Sequence, residues 1–386
     1  MSFGRDKRNV LVLSICQALF NSGRGLMFLA ATLVGANMLG ENLIFVTAPI
    51  TIMLVGTASG TLPAAHLMRL FGRKVGFVIG SVIGAGGCWI CYTSLPDNNF
   101  LLFNVGMFFY GIYSGFSQQY RFAVADAAPD NFKAKAISLV LAASVVGAVV
   151  GPETAKVTRN LFVDVEFAGS MLALIGLCLA TGLIVTFIDI PKLSREEYAD
   201  KGRPLLDIVA QPTFIVAFIA AAIGYVAMNI LMTATPLSMR LGSNFNFNDT
   251  ALVIEWHIIG MFAPGFFTGH LITRFGHIKV IFAGGLLLLL AVATALNGIT
   301  LTHFWVAMFL VGAGWNFTFT GGTALLTGVY TPSERNKVQG IYDFTVFSFM
   351  ALSSLSSGAI FHFLGWKWVN LSALPMVAIL LTATIW

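Results

Sequence analysis

Charged side chains are scarce in this sequence: 10% of its 386 residues are Asp, Glu, Lys or Arg, against 57% hydrophobic. Soluble domains carry about 25% charged residues, so a water-soluble fold is excluded. Cysteine is rare too, with Cys16, Cys88, Cys91 and Cys178 all inside apolar runs. A disulfide framework is therefore not expected, and Cys88-Trp-Ile-Cys91 reads as one helix face. No phosphate-binding glycine loop, nucleophile elbow or metal-ligand spacing is present. Enzyme chemistry, an ATP-driven pump, a metal site and a cofactor are all unexpected. Short segments of alternating polarity are missing as well, which excludes a transmembrane β-barrel.

Long apolar runs fill the space instead. A run of ~20 such residues crosses the bilayer as a helix, and lipid leaves the backbone no other open-ended way to satisfy itself. Twelve spans are predicted, at 9–38, 42–68, 75–95, 101–127, 136–157, 166–188, 212–238, 249–272, 279–299, 303–329, 338–363 and 367–386. The fold class is all-α and integral to the membrane, with no cleavable signal expected at the start. Sixteen of the 22 Lys and Arg fall on one side of these spans. Lys156, Arg159, Arg240 and Lys367 fall on the other, and Arg24 and Arg121 fall inside spans. Such a bias places both termini in the cytoplasm. The net charge of +5 then reflects topology, and no nucleic-acid partner is expected.

The chain repeats itself. His66–Lys74, HLMRLFGRK, returns at His270–Lys279 as HLITRFGHIK, and Ala128–Lys135 is echoed by Thr331–Val338. Two echoes at nearly one offset indicate a duplicated half. The expected domains are a six-helix half at 1–188, a cytoplasmic linker at 189–211 and a second half at 212–386. A short surface helix is expected around Ser194–Asp200 within that linker.

Twelve spans in two halves, with a basic glycine-containing loop after spans two and eight, resemble the major facilitator superfamily. The family signature G-x-x-x-D-R-x-G-R-K survives here as Gly72, Arg73 and Lys74, with Arg69 at the acidic position and Leu70 at the basic one. The second copy keeps Gly269, Arg274 and Gly276, with Thr273 at the acidic position. Gly147-Ala-Val-Val-Gly151-Pro152 in span five is similar to a family motif associated with antiport. The loop TPSERNKVQG also looks like the family's, and YRFAVAD at Tyr120–Asp126 looks like a bacterial branch of it. The resemblance implies spans one, four, seven and ten around a central cavity, with gating between the halves. It also implies a latch between spans two and eleven. With the signs exchanged, Arg69 is expected to pair with Asp343, and Gly72, Arg73 and Gly276 are expected to shape the gate.

Ionisable and polar groups inside a membrane are costly and mark function by default. Gln17, Asn21, Arg24 and Phe28 share one helical face of span one, and Tyr110, Ser114, Gln118 and Arg121 repeat the spacing in span four. Span seven offers Tyr225 and Asn229, and span ten Asn316 and Thr320. These are the expected substrate-binding residues. The two arginine forks suit a carboxylate, phosphate or other polar group; the competing reading is that each pairs with an internal acid and holds helices together. For proton coupling, Glu255 with nearby His257 in span eight is the expected site, and Glu153 in span five is a candidate neighbour. His66 and His270 read as loop or packing residues.

The expected function is secondary active transport of a small organic solute, anionic or aromatic, by alternating access and coupled to protons or another ion. The expected setting is the bacterial inner membrane, as a monomer with the lipid bilayer and the solute as its partners. A non-transporting membrane sensor or assembly partner on the same fold is the alternative.

Overall fold

The computed structural model describes residues 3–39, 48–190 and 202–385. The surface helix expected at Ser194–Asp200 lies outside the described residues. The first eight helices are α1 (Phe3–Leu39), α2 (Ala48–Phe71), α3 (Arg73–Ser94), α4 (Phe100–Ser117), α5 (Tyr120–Ala127), α6 (Lys133–Ala142), α7 (Ser144–Thr158) and α8 (Ala168–Ile184). A short α9 (Leu205–Val209) precedes α10 (Pro212–Leu237), α11 (Phe247–Phe262), α12 (Gly265–Phe275), α13 (His277–Asn297) and α14 (Leu301–Leu326). The last, α15 (Arg335–Ile385), is two helices meeting at Gly365, whose φ is 79°.

Among the described residues, 11 helical stretches are long and apolar enough to cross a membrane. The 26-residue α14 is equally long but carries Asn316, Thr318, Thr320 and Thr323 on its buried surface. Three spans expected as single helices are interrupted. Span four divides at Gln118–Gln119, span five at Ala143, and span eight at Ala263–Pro264. At the last of these, proline lacks the N–H that would continue the helical ladder.

The helices form two compact units. The first comprises Met1–Ala128, Ala143–Gly202 and Thr331–Ser348; the second comprises Pro129–Ala142, Arg203–Tyr330 and Phe349–Trp386. In the first, α4 packs on α2 and α3, while α1 packs on α7 and α8. In the second, α14 packs on α10, α11 and α13, and α12 packs on α6.

The sequence repeat is a structural repeat at the level of single residues. Gly72 and Gly276 each open a helix, α3 and α13, with φ of 88° and 87° and ψ of 163° and 161°. Backbone of that hand is open to glycine and strained for other residues. A like bond between helices is found in each unit, at positions outside the register of the repeat. Asn21 donates to the Ser144 hydroxyl at 2.9 Å in the first unit, and Asn229 donates to the Ser353 hydroxyl at 3.0 Å in the second. Neither pair was anticipated as a contact from sequence.

Small residues let the backbones approach closely, as is usual where lipid offers no hydrophobic drive between helices. A Cβ at Gly111 would collide with the Met53 carbonyl oxygen, and one at Gly60 would stand 2.7 Å from the Ile112 carbonyl oxygen. Gly86, on the exposed face of α3, has no atom within 4 Å of its would-be Cβ. We therefore expect Gly111→Ala to lose about 1–3 kcal/mol through overpacking of α2 on α4. Gly86→Ala should be neutral or gain up to about 1 kcal/mol from helix propensity. Thermal unfolding of the two variants in detergent tests the contrast.

Candidate functional site

In the first unit the polar face of α1 lies against α7. Gln17 and Asn21 both donate to Ser144, at 3.0 and 2.9 Å. They meet there because Gly147 and Gly151 let α7 close on α1; a Cβ on Gly147 would be 2.6 Å from the Asn21 backbone. The amides of Gln17 and Asn21 thus tie two helices together.

One turn further on, Arg24 is half-buried, its guanidinium 5.5 Å from the centre of the Phe28 ring. Among the described residues no carboxylate pairs with it. Close by, the Tyr110 hydroxyl is buried without a hydrogen-bond partner, and it lies 3.1 Å from where a Cβ on Gly23 would sit. Ser114 is buried on the same face of α4, and Gln118 accepts from Arg121 at 3.2 Å.

Arg121 belongs to a second, denser constellation. Arg73 donates twice to Asp126, at 2.8 and 3.2 Å, and Arg335 stands 3.6 Å from the same carboxylate. Arg73 also donates to Gln119 at 3.0 Å and to Gln339. Gln119 in turn donates to Asp343 at 3.2 Å, and Asp343 is ion-paired with Arg121. The result is one chain, Asp126–Arg73–Gln119–Asp343–Arg121, contributed by α3, α5, the residue preceding α5, and the start of α15. Its side chains are almost sealed, Arg121 at 1% and Asp343 at 0% exposure.

This corrects the pairing expected from sequence. Asp343 takes Arg121 as its partner in place of Arg69. A carboxylate with no exposure needs an equally buried guanidinium, and Arg69 is half-buried at the end of α2. Arg73 of the family motif is part of the cluster, whereas Gly72 supplies the left-handed turn that starts its helix.

In the second unit, Tyr225 stands edge-on to Trp315 and Phe319, at 5.2 and 4.8 Å between ring centres. Trp315 stacks on Phe319 at 5.0 Å, and Phe262 meets Trp315 edge-on at 5.6 Å. The Trp315 indole N–H and the hydroxyls of Thr320 and Thr323 are buried without partners. Asn316 is satisfied within the unit: it donates to the Met261 carbonyl and accepts from Thr268, both at 2.7 Å. Asn229 also reaches the Met350 carbonyl at 3.4 Å.

The acids expected to carry protons sit differently from Asp343. Glu153 is exposed and paired with Lys156 at 2.6 Å, and Glu255 is exposed on α11. His257 is buried, with Nδ1 2.8 Å from the Met308 carbonyl oxygen. Among the described residues no group of three His, Cys, Asp or Glu side chains is placed to hold a metal ion.

With this geometry in place, comparison with known proteins decides the family. The Major Facilitator Superfamily profile matches residues 13–263 and 217–386. The chain belongs to the Major Facilitator Superfamily. It is thus an integral membrane transporter rather than an enzyme. Similar proteins include the riboflavin transporter RfnT of Brucella anthropi, 39% identical over 98% of this chain and 95% of that one. The uncharacterized MFS-type transporter YdeG of Bacillus subtilis is 28% identical over 92% and 85%. Among solved structures, the human organic anion transporter MFSD10 superposes with a TM-score of 0.76 at 14% identity, covering 98% of this chain and 99% of that one. The E. coli fucose:proton symporter FucP gives 0.75 at 15% identity, over 98% and 97%. At those identities the structures speak for the fold alone.

Removing one partner of a buried ion pair strands a charge, at about 3–5 kcal/mol. Arg73→Gln and Asp126→Asn should each lower the unfolding free energy by roughly that amount. Because the two side chains interact directly, the double variant should lose less than the sum. A double-mutant cycle by thermal unfolding checks both statements.

Proposed function

We propose that this chain is a secondary active transporter of riboflavin or a closely related flavin, driven by a proton gradient and working by alternating access of the sequence halves 1–188 and 212–386. We place it in the bacterial inner membrane as a monomer, with both termini cytoplasmic. Full-length identity of 39% to a riboflavin transporter carries the substrate reading. The composition of the polar faces supports it. Riboflavin presents a flat tricyclic ring, an imide edge rich in acceptors, and a polyhydroxyl chain.

Each of these has a chemical counterpart. Arg24 carries a guanidinium fork with no carboxylate partner among the described residues, suited to the carbonyl acceptors of the imide edge. The Tyr110 hydroxyl in the first unit, and those of Thr320 and Thr323 in the second, are hydrogen-bonding groups without protein partners, of the kind that suits hydroxyl groups. Tyr225, Trp315, Phe319 and Phe262 supply aromatic surface of the kind that prefers stacked or edge-on ring partners. Gln17, Asn21, Ser114, Gln118, Arg121, Asn229 and Asn316 then act mainly by holding the helices that carry these groups.

Riboflavin at 100 times its dissociation constant should stabilise the purified protein by about 2.7 kcal/mol. Arg24→Ala should remove about 1.5–3 kcal/mol of binding, the range for a hydrogen bond to a charged group. Thermal shift and quenching of flavin fluorescence measure both quantities. No stabilisation by riboflavin would sink the substrate reading, and undiminished affinity in Arg24→Ala would remove Arg24 from the site.

A further inference from the structure

Asp343 lies in the first unit, inside a helix long and apolar enough to cross a membrane. Among the described carboxylates in such helices, it has the most completely buried side chain. We propose that Asp343 binds the coupling proton, and that its bond to Arg121 is the joint this proton opens. The proposal rests on the proton-driven reading above and names the residue that carries it.

The two carboxylates of the buried chain are not equivalent. Asp126 is gripped by two cations, Arg73 and Arg335. Neutralising it would leave those two like charges sharing one site. Asp343 is ion-paired with Arg121 and accepts from the neutral amide of Gln119. Neutralising it would release Arg121, which also donates to Gln118 and lies 4.6 Å over the Phe122 ring. The charged groups that act on Asp343 are Arg121 of α5 and Arg73 of α3; Asp126 of α5 meets Arg73 and, from the start of the Asp343 helix, Arg335. Arg69 ends α2, which meets the same helix where Gly340 lies against Ala65.

A proton added to the Asp343 carboxylate forms a neutral acid and ends its ion pair; nothing else is consumed or released. Arg121 keeps its charge and must find another partner or water, because a buried charge cannot stay uncompensated. That pair is one of three contacts between α5 and the start of α15, beside Arg335–Asp126 and the edge-on rings of Phe122 and Tyr342, so proton binding removes the most deeply buried bond that holds the start of α15. Gln119 extends the effect. It spans Asp343 and Arg73, so a change at one carboxylate reaches the cation that holds the other. This is the form a coupling device needs, in which a ligand shifts an equilibrium only by interacting differently with its two states.

The test uses the full chain reconstituted in lipid. Infrared difference spectra on acidification should show the C=O stretch of a protonated buried carboxylic acid. That band should vanish in Asp343→Asn and persist in Glu255→Gln. In proteoliposomes, Asp343→Asn should lose uptake of riboflavin driven by a proton gradient by at least about tenfold, while riboflavin counterflow falls by less than that. A band that survives in Asp343→Asn, or is missing from the wild type, overturns the proposal. So does a folded Asp343→Asn that loses counterflow together with driven uptake, which makes the pair purely structural. A wild type that shows the Asp343 band but takes up no riboflavin sinks the substrate reading and leaves the proton site standing.

Discussion

A charge taken out of water must meet its partner inside the protein, and in a chain this apolar the partners are few. That constraint accounts for the most tightly built part of the molecule. Arg73, Arg121 and Arg335 are drawn from three different stretches of sequence, yet each finds a buried carboxylate, Asp126 or Asp343. The two glutamines, Gln119 and Gln339, add neutral partners to this network. The start of α15, α3 and α5 are joined by this chain.

Duplication supplies the second layer of order. Gly72 and Gly276 hold nearly identical left-handed backbone at the starts of α3 and α13. Asn21–Ser144 and Asn229–Ser353 place a like bond in each unit, outside the register of the repeat. The charged chain has a one-sided character by contrast. Thr273 stands where the second copy of the motif would carry its acid, and it bonds back to the Gly269 carbonyl of its own helix. The repeat therefore preserves the glycine turns in both units, while the buried ion-pair chain belongs to the first.

Much of this was legible in the sequence, and what was not has a physical cause. Hydropathy and the echo of HLMRLFGRK are local or periodic properties, so the spans and the glycine turns could be read directly; the compact units, of which the first includes Thr331–Ser348 and the second Pro129–Ala142, could not. The polar stripes on spans one, four, seven and ten were legible for the same reason. Partners were not. Arg73 and Gln339 are 266 positions apart, and nothing in spacing says that Asp343 meets Arg121 and not Arg69. Ser144, Gln119 and Trp315 were passed over because each is ordinary alone; they matter through what they touch. The one usable signal was composition, since Arg121 and Asp126 share the segment YRFAVAD with opposite charges five residues apart.

The contrast between arginines carries the site reading furthest. Two buried arginines, Arg73 and Arg121, and the half-buried Arg335 are neutralised by the protein, and each is explained by the helices it joins. Arg24 is half-buried, rests on the face of Phe28, and has no carboxylate among the described residues. A cation–π contact of about 0.5–2 kcal/mol offsets only part of the cost of desolvating a guanidinium. An arginine that served only to fasten helices would gain more from an acid, which this fold supplies twice elsewhere. An unneutralised fork in a polar stripe, beside a tyrosine hydroxyl that also lacks a partner, fits a group whose partner arrives from outside the chain. Arg24 is therefore the group we propose to meet the solute.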